Sequence, residues 1–328
     1  MRALQLTAPN EWSVQDAPEP NPAHDEVVIE VAGCGVCGTD LHTLAGGNPL
    51  VRMPVTPGHE FGGTVKAIGA SVDWLKAGER VVVDPSRSCE HCPQCLAGRR
   101  NLCPNKGGYG SRFPGGFAGR TAVRATSCVK VPVGMAWEVA LLAEPLSCVL
   151  HGIDRLGDAT GDDAIVVGAG PIGLLTALVL RHVGTHVAVV ERSAHRRGIA
   201  AKLGFDLAVE SVRELDWSDS AVVVDATGVP AAVEEGFSML RRGGSLLLMG
   251  VAKAGSAITL DPHRLNWQEL TVLGSTAVNA SFGRAVEMLQ RLGDQIEAIA
   301  THNVKLEDFD EALELVRSQS ALKVLVRP

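Results

Sequence analysis

The sequence predicts an α/β protein of two domains, an irregular β-rich one followed by a doubly wound one built on a parallel sheet. Three observations carry that prediction. The chain has 328 residues, more than one core ordinarily serves and enough for two domains of roughly 150 residues. Up to about residue 125, short alternating or β-branched runs such as 26–31 and 80–84 are broken by Gly and Pro, the pattern of half-buried strands. From about 161 to 278 the runs become wholly apolar (164–167, 186–190, 221–224, 245–248) with helical spacing between several of them, as strands buried on both faces of a parallel sheet require.

These textures place a first domain at residues 1–146, a second at 147–278, and a closing segment at 279–328 that is expected to return to the first. The apolar spacing around 140–150, within 132–156, predicts a helix leading into the second domain. Helical spacing recurs over 284–292 and 306–316, and the apolar run 322–326 predicts a last strand. No internal repeat or low-complexity segment is visible.

Bulk chemistry excludes several functions. At 46% hydrophobic and 20% charged residues the composition is globular rather than disordered. Acidic residues number 37 against 30 basic, a net charge of −7, and no Lys/Arg run tracks a phosphate backbone, so nucleic acid is not an expected partner. Residues 1–10 carry no apolar run or cleavage site, which predicts a cytoplasmic protein. The uncharged stretch 164–180 nears membrane-span length, but Gly168, Gly170, Pro171 and Gly173 interrupt it; it reads as a strand turning into a helix, with no membrane partner. Eight cysteines in a reducing compartment are free thiols unless a metal or a reaction holds them, so their spacing matters more than their number.

The second domain opens on a G-x-G-x-x-G fingerprint, Gly168-Ala-Gly170-Pro171-Ile172-Gly173, directly after an apolar strand and before a helical run. The first Gly permits a tight turn, the second lets backbone approach a pyrophosphate, and the third allows close helix packing, which is the Rossmann dinucleotide site. The next strand ends at Glu191, whose carboxylate suits the adenosine ribose hydroxyls and repels a 2′-phosphate. NAD is therefore the expected cofactor. Arg192, Arg196 and Arg197 come directly after and keep NADP open; Arg192 is placed with the cofactor residues, as is Thr227 at a later strand end whose small residues leave room near a dinucleotide.

The first domain holds two metal constellations. Cys89, Cys92, Cys95 and Cys103 form C-x2-C-x2-C-x7-C, four soft ligands able to wrap one tetrahedral ion. Pro93, Gly98 and Pro104 predict a loop there rather than a helix. A structural zinc is the expected occupant; a redox pair and an iron–sulfur cluster are the alternatives. The second set is dispersed: Cys37 in the segment Cys37-Gly-Thr39-Asp-Leu-His42, then His59-Glu60, then Glu144 before Pro145. A catalytic zinc takes about three protein ligands and one open position, yet each residue alone is ordinary: a core thiol, a satisfied imidazole, a helix-start acid.

Together the Cys37–His42 segment, Gly58-His59-Glu60, the four-cysteine lobe, Glu144-Pro145 and the glycine fingerprint resemble the zinc-dependent medium-chain alcohol dehydrogenases over nearly the whole chain. Among them the sorbitol and other polyol dehydrogenases are most similar, because Glu144 stands where ethanol-type enzymes carry a third zinc-binding Cys. The resemblance implies a GroES-like catalytic domain, with the four-cysteine lobe at about 86–106, joined to a Rossmann domain. It also implies a catalytic zinc on Cys37 and His59, with Glu60 and Glu144 completing the site directly or through water, and a structural zinc on the lobe. Thr39 and His42 are implied as a proton relay running through the nicotinamide ribose. A homo-oligomer, tetramer or dimer, is the family habit.

The activity implied by the resemblance is an NAD-linked oxidation of a small secondary alcohol, with a polyol the first candidate. Threonine or glucose dehydrogenase chemistry is the alternative, and a non-catalytic nucleotide-binding relative is the reading of another class. One departure stands out: the Arg that helps hold the polyol in animal sorbitol dehydrogenases falls near Ala277 here, which leaves substrate contacts to other groups such as Asn279. Phe61 and Trp74 could shape the cleft, though core packing explains both. Cys34, Cys128 and Cys148 match no motif and read as small buried hydrophobes.

Overall fold

The computed structural model describes residues 1–159, 161–217 and 219–328, and the chain divides into two compact units. Unit one is Met1–Glu144 together with Val278–Pro328; unit two is Pro145–Ala277.

In unit one a seven-stranded sheet runs in the order His302–Lys305, Val324–Arg327, Glu26–Val36, Glu60–Ile68, Arg80–Val83, Cys128–Lys130, with Arg120–Arg124 also paired to Glu26–Val36. The strand Glu26–Val36 therefore bonds to three others, and eight of its 11 residues are buried. Its register against Glu60–Ile68 shifts between Val31 and Gly33. Such an irregularity twists the strand and re-aims the residues beyond it, which here are Cys34 to Cys37. A hairpin of Arg2–Ala8 and Glu11–Asp16 lies outside this sheet. Phe117 and Phe309, both buried, meet edge to face at 4.9 Å; burying a ring of that size is worth about 1.5–3 kcal/mol.

Unit two is a six-stranded parallel sheet ordered Ala208–Val209, His186–Val190, Asp163–Val167, Ser220–Asp225, Leu240–Leu248, Thr271–Gly274. Chain order reverses between Asp163–Val167 and Ser220–Asp225, and ligands of such sheets bind outside the carboxyl ends of the strands at that switch. The uncharged stretch beginning at Ala164 is the central strand, the glycine turn and the helix Pro171–His182, whose residues Gly173 to Leu180 are all buried. No helix among the described residues is long and apolar enough to cross a membrane. The expected α/β class and doubly wound parallel sheet are thus observed.

Three local expectations need correction. The four-cysteine lobe is not all loop: Pro93–Leu96 forms one helical turn. Pro93 occupies its first position, where a missing N–H costs nothing, and Cys92 Sγ accepts from the Cys95 amide as a cap would. Trp74, read as core or cleft, is 43% exposed. Cys34 and Cys128 are buried, as small hydrophobes should be, but Cys148 is only partly so, on the helix Ala143–Leu156.

Candidate active site and metal centres

Of the dispersed set, Cys37, His59 and Glu60 come together in unit one at the ends of paired strands, whereas Glu144 lies outside that cluster. Glu26–Val36 delivers Cys37, which caps the helix Gly38–Leu44: its Sγ accepts from the Thr39 amide at 3.2 Å, and its own amide donates to Asp40 Oδ2 at 2.9 Å. Glu60 opens the neighbouring strand and His59 directly precedes it. His59 Nε2 lies 3.3 Å from Cys37 Sγ, and His59 Nδ1 lies 3.4 Å from Asp40 Oδ1. Asp40, buried, is thus shared between the cap and the imidazole, a carboxylate–histidine arrangement that fixes ring orientation in metal sites. Burial pulls the His59 pKa down, but the Cys37 thiolate and Asp40 carboxylate outweigh it and hold the value well above the imidazole norm.

Glu60 is buried, and its carboxylate is held by a residue that no sequence motif marks. Lys323 Nζ donates to Glu60 Oε1 at 2.7 Å and Oε2 at 2.6 Å. Burial lowers the Lys323 pKa, yet the Glu60 carboxylate, the Cys37 thiolate and Glu144 together raise it above the usual lysine value. Glu144, in the first turn of Ala143–Leu156, therefore shares the same electrostatic neighbourhood. Asp40 is unmarked as well. Its signal was the capping-box spacing Cys37-x-x-Asp40, hidden because Cys is not a usual cap; the signal for Lys323 was a lone cation inside an apolar run.

The donors fit a zinc ion. Ligand atoms of Cys37, His59 and Glu60 lie within 4.8 Å of one another, and a thiolate and an imidazole on one tetrahedral zinc sit about 3.5 Å apart, close to the 3.3 Å observed. In the lobe, Sγ separations are 3.5 Å for Cys92–Cys95 and Cys103–Cys89, 3.9 Å for Cys92–Cys103 and 4.0 Å for Cys89–Cys95. A tetrahedron of thiolates around zinc has edges of about 3.8 Å. All eight cysteines are free thiols. Amides of His91 and Cys92 help hold the Cys89 thiol below its ordinary value, at about 6.

Thr39 and His42 are both exposed, three residues apart on the helix Gly38–Leu44. Phe61 is core, edge-on to Tyr109. Ala277 and Ala280 both adopt positive φ, and between them Asn279 Oδ1 is buried without a hydrogen-bond partner among the described residues.

In unit two, Gly168, Gly170, Pro171, Ile172 and Gly173 form the turn from the central strand into its helix. A Cβ on Gly173 would stand 1.8 Å from the Gly168 carbonyl oxygen, so only glycine allows this packing. A Cβ on Gly170 would meet nothing within 4 Å, leaving open space over the helix start where a pyrophosphate is held. Glu191 is tied to the same turn: Oε2 accepts from the Ala169 amide at 2.9 Å and Oε1 from the Ser193 amide at 2.8 Å. Arg197 donates to the carbonyls of Glu191 and Arg192 and to Glu210, whereas Arg192 is exposed and the buried Arg196 Nε has no partner among the described residues. Thr227 is pinned by buried Asp225, to which its amide and hydroxyl both donate.

Known proteins share this architecture. Residues 23–133 match the family described as alcohol dehydrogenase GroES-like domain, and residues 137–327 that described as glucose dehydrogenase C-terminus. The D-arabinitol dehydrogenase 1 of Uromyces fabae is 34% identical over 100% of this chain and 97% of its own. Among solved structures, a zinc-binding dehydrogenase from Sinorhizobium meliloti 1021 bound to NADP superposes with a TM-score of 0.93 at 32% identity, covering 100% of this chain and 99% of the other. An alcohol dehydrogenase from Escherichia coli CFT073 complexed with NADH does so with a TM-score of 0.91 at 28% identity and the same coverage. With both domain matches and a full-length relative above 30% identity, the chain is an oxidoreductase that belongs to the zinc-dependent medium-chain dehydrogenases, the family of the polyol dehydrogenases.

Proposed function

We propose that this chain oxidises a small secondary alcohol, a polyol, and passes the hydride to NAD. The observation that carries the reading is the convergence of a thiol, an imidazole and a buried carboxylate, Cys37, His59 and Glu60, with ligand atoms within 4.8 Å. A pair of zinc ions is implied, catalytic on this set and structural on Cys89, Cys92, Cys95 and Cys103. When bound, the catalytic zinc supplies a Lewis acid that brings an alcohol proton within reach of neutral pH.

The chain's own groups do the rest. Cys37 and His59 position the ion, and Asp40 orients the imidazole. Thr39, two residues from Cys37, would take the alcohol proton on its hydroxyl while passing its own proton on through the nicotinamide ribose to exposed His42, which would release it to solvent. Glu191, held by two backbone amides, presents its carboxylate to the adenosine ribose and disfavours a 2′-phosphate. Commitment of Arg197 to backbone and Glu210 removes one of the three cations that an NADP site would recruit. A polyol is favoured because Glu144 replaces a thiolate ligand and because a full-length relative is a D-arabinitol dehydrogenase.

The test is absorbance of reduced nicotinamide in a screen of sugar alcohols, short diols, threonine and aldoses, with NAD and NADP in parallel and a chelator control. Chelator-sensitive NADH formation with a polyol is the expected result; no turnover of any polyol by zinc-replete protein would overturn it. A second reading, an aldose dehydrogenase, has behind it the glucose dehydrogenase match over residues 137–327, and turnover of an aldose alone decides for it. The same family reading makes the protein a homo-oligomer, dimer or tetramer, which light scattering of the purified protein tests.

A further inference from the structure

Unit one also holds a cavity of about 380 Å³, within the range of about 300–1,000 Å³ that small-molecule sites occupy. Arg87, Tyr109 and Phe113 form one wall of it. Pairing of Ser86–Arg87 with Gly107–Gly108 sets Arg87 opposite Gly107, and the turn that follows brings the Phe113 amide back to the Gly108 carbonyl at 3.1 Å. The guanidinium carbon of Arg87 therefore lies 3.7 Å over the Phe113 ring centre and 5.8 Å from that of Tyr109.

One face of this guanidinium is covered, but its N–H edge is uncommitted: Arg87, half-buried, makes no hydrogen bond or ion pair among the described residues. Glu90, the only acid between residues 86 and 124, pairs with Arg100 at 2.8 Å. Glu26, on the cavity wall, accepts from the Ala23 amide at 3.1 Å. The other arginine of the wall, Arg120, is neutralised by Glu19 at 2.6 Å and Glu30 at 3.3 Å.

We propose that this cavity is a ligand site apart from the metal centres, taking a small aromatic carboxylate whose two oxygens accept from the edge of Arg87. Guanidinium donors form a planar fork that matches a carboxylate, and stacking on Phe113 fixes the plane of the fork. One uncommitted arginine answers one negative charge, and Glu26 on the same wall opposes the second charge of a phosphate. Pro18, Pro20, Pro114 and Ala122 offer hydrocarbon surface to a ring. None of the zinc donors, in the Cys37 set or in the four-cysteine lobe, lines the cavity.

The chain's single tyrosine, Tyr109, stands in this wall, so ring-13C tyrosine gives full-length, zinc-loaded protein one local reporter. Benzoate is the probe, and it should shift the Tyr109 resonances saturably. Benzamide, of the same shape without the charge, should bind roughly ten-fold or more weakly, as loss of a charge-assisted hydrogen bond requires. Inorganic phosphate should leave the resonances in place. Arg87→Met should weaken benzoate by a similar factor, and Arg87→Lys should recover only part of the affinity because an ammonium has no fork.

Ala122→Leu, which narrows the cavity from the strand Arg120–Arg124, should abolish the shift and keeps the test open should Arg87→Met disturb the cysteine lobe two residues away. Cys37→Ser should still show the benzoate shift; its loss there would trace the effect to the catalytic centre and overturn the proposal. A Tyr109 spectrum unmoved by benzoate, an equal response to benzamide or phosphate, or undiminished benzoate affinity in Arg87→Met or Ala122→Leu would overturn it as well.

Discussion

Asp40 Oδ1 faces His59 Nδ1 at 3.4 Å while the other nitrogen of the same ring lies 3.3 Å from Cys37 Sγ. The buried carboxylate therefore sets the direction in which the imidazole offers its remaining lone pair. Asp40→Asn keeps the shape and loses the charge. It should weaken zinc at the Cys37 centre by about 10–100-fold while leaving the four-cysteine lobe loaded. Competition against a chromogenic chelator, which resolves the two centres as separate phases, measures this; equal retention in both proteins would show that Asp40 serves only as a helix cap.

The two centres should also separate by what their loss does. Cys37→Ser or His59→Ala removes a ligand and should abolish turnover with the fold intact, lowering bound zinc to the structural ion alone. Cys95→Ser should act chiefly on stability, because the lobe has little core beyond its own cysteines and a structural zinc contributes folding free energy directly. Thermal unfolding and zinc content, measured side by side, distinguish these effects. Turnover retained in Cys37→Ser would contradict the catalytic assignment.

Glu191→Ala removes the carboxylate that Ala169 and Ser193 hold in place. NAD should bind more weakly, and preference should shift toward NADP by roughly ten-fold, the equivalent of about 1.4 kcal/mol. Ratios of kcat/KM for the two cofactors are the measurement. An unchanged ratio would move cofactor choice to exposed Arg192 and to Arg196.

Gly35→Ala asks whether the Glu60–Lys323 pair needs its cavity. A methyl group there would stand 2.1 Å from Glu60 Oε2, so either the carboxylate or the strand must move. Overpacking of this kind costs about 1–3 kcal/mol, and the melting temperature should fall accordingly. An unshifted melting temperature would mean that the carboxylate relocates freely and that its position is not fixed by the strand beneath it.

Much of this protein was legible in its residues. The strand His186–Val190 was bounded by its apolar run alone, because a strand buried on both faces has no polar alternation to blur its ends. The glycine turn was equally plain: each glycine answers a local steric demand, as the Gly168–Gly173 approach shows. The lobe was readable from spacing, although its helical turn was not, since Pro93 reads as a breaker until its position at the helix start is known.

Local chemistry thus determined the two fold textures, the cofactor turn and most of the metal donors, all of which depend on residues near one another in sequence. Tertiary structure decided what those donors can do. Lys323 is 263 positions from Glu60, and only the pairing of Val324–Arg327 and Glu60–Ile68 on either side of Glu26–Val36 brings them together. Asp40 was close in sequence to Cys37, but its second partner, His59, arrives from the residue before another strand. Strand pairing joins remote segments through backbone hydrogen bonds that carry no side-chain signature, so the partners that orient and neutralise a metal site emerge only once the sheet has formed.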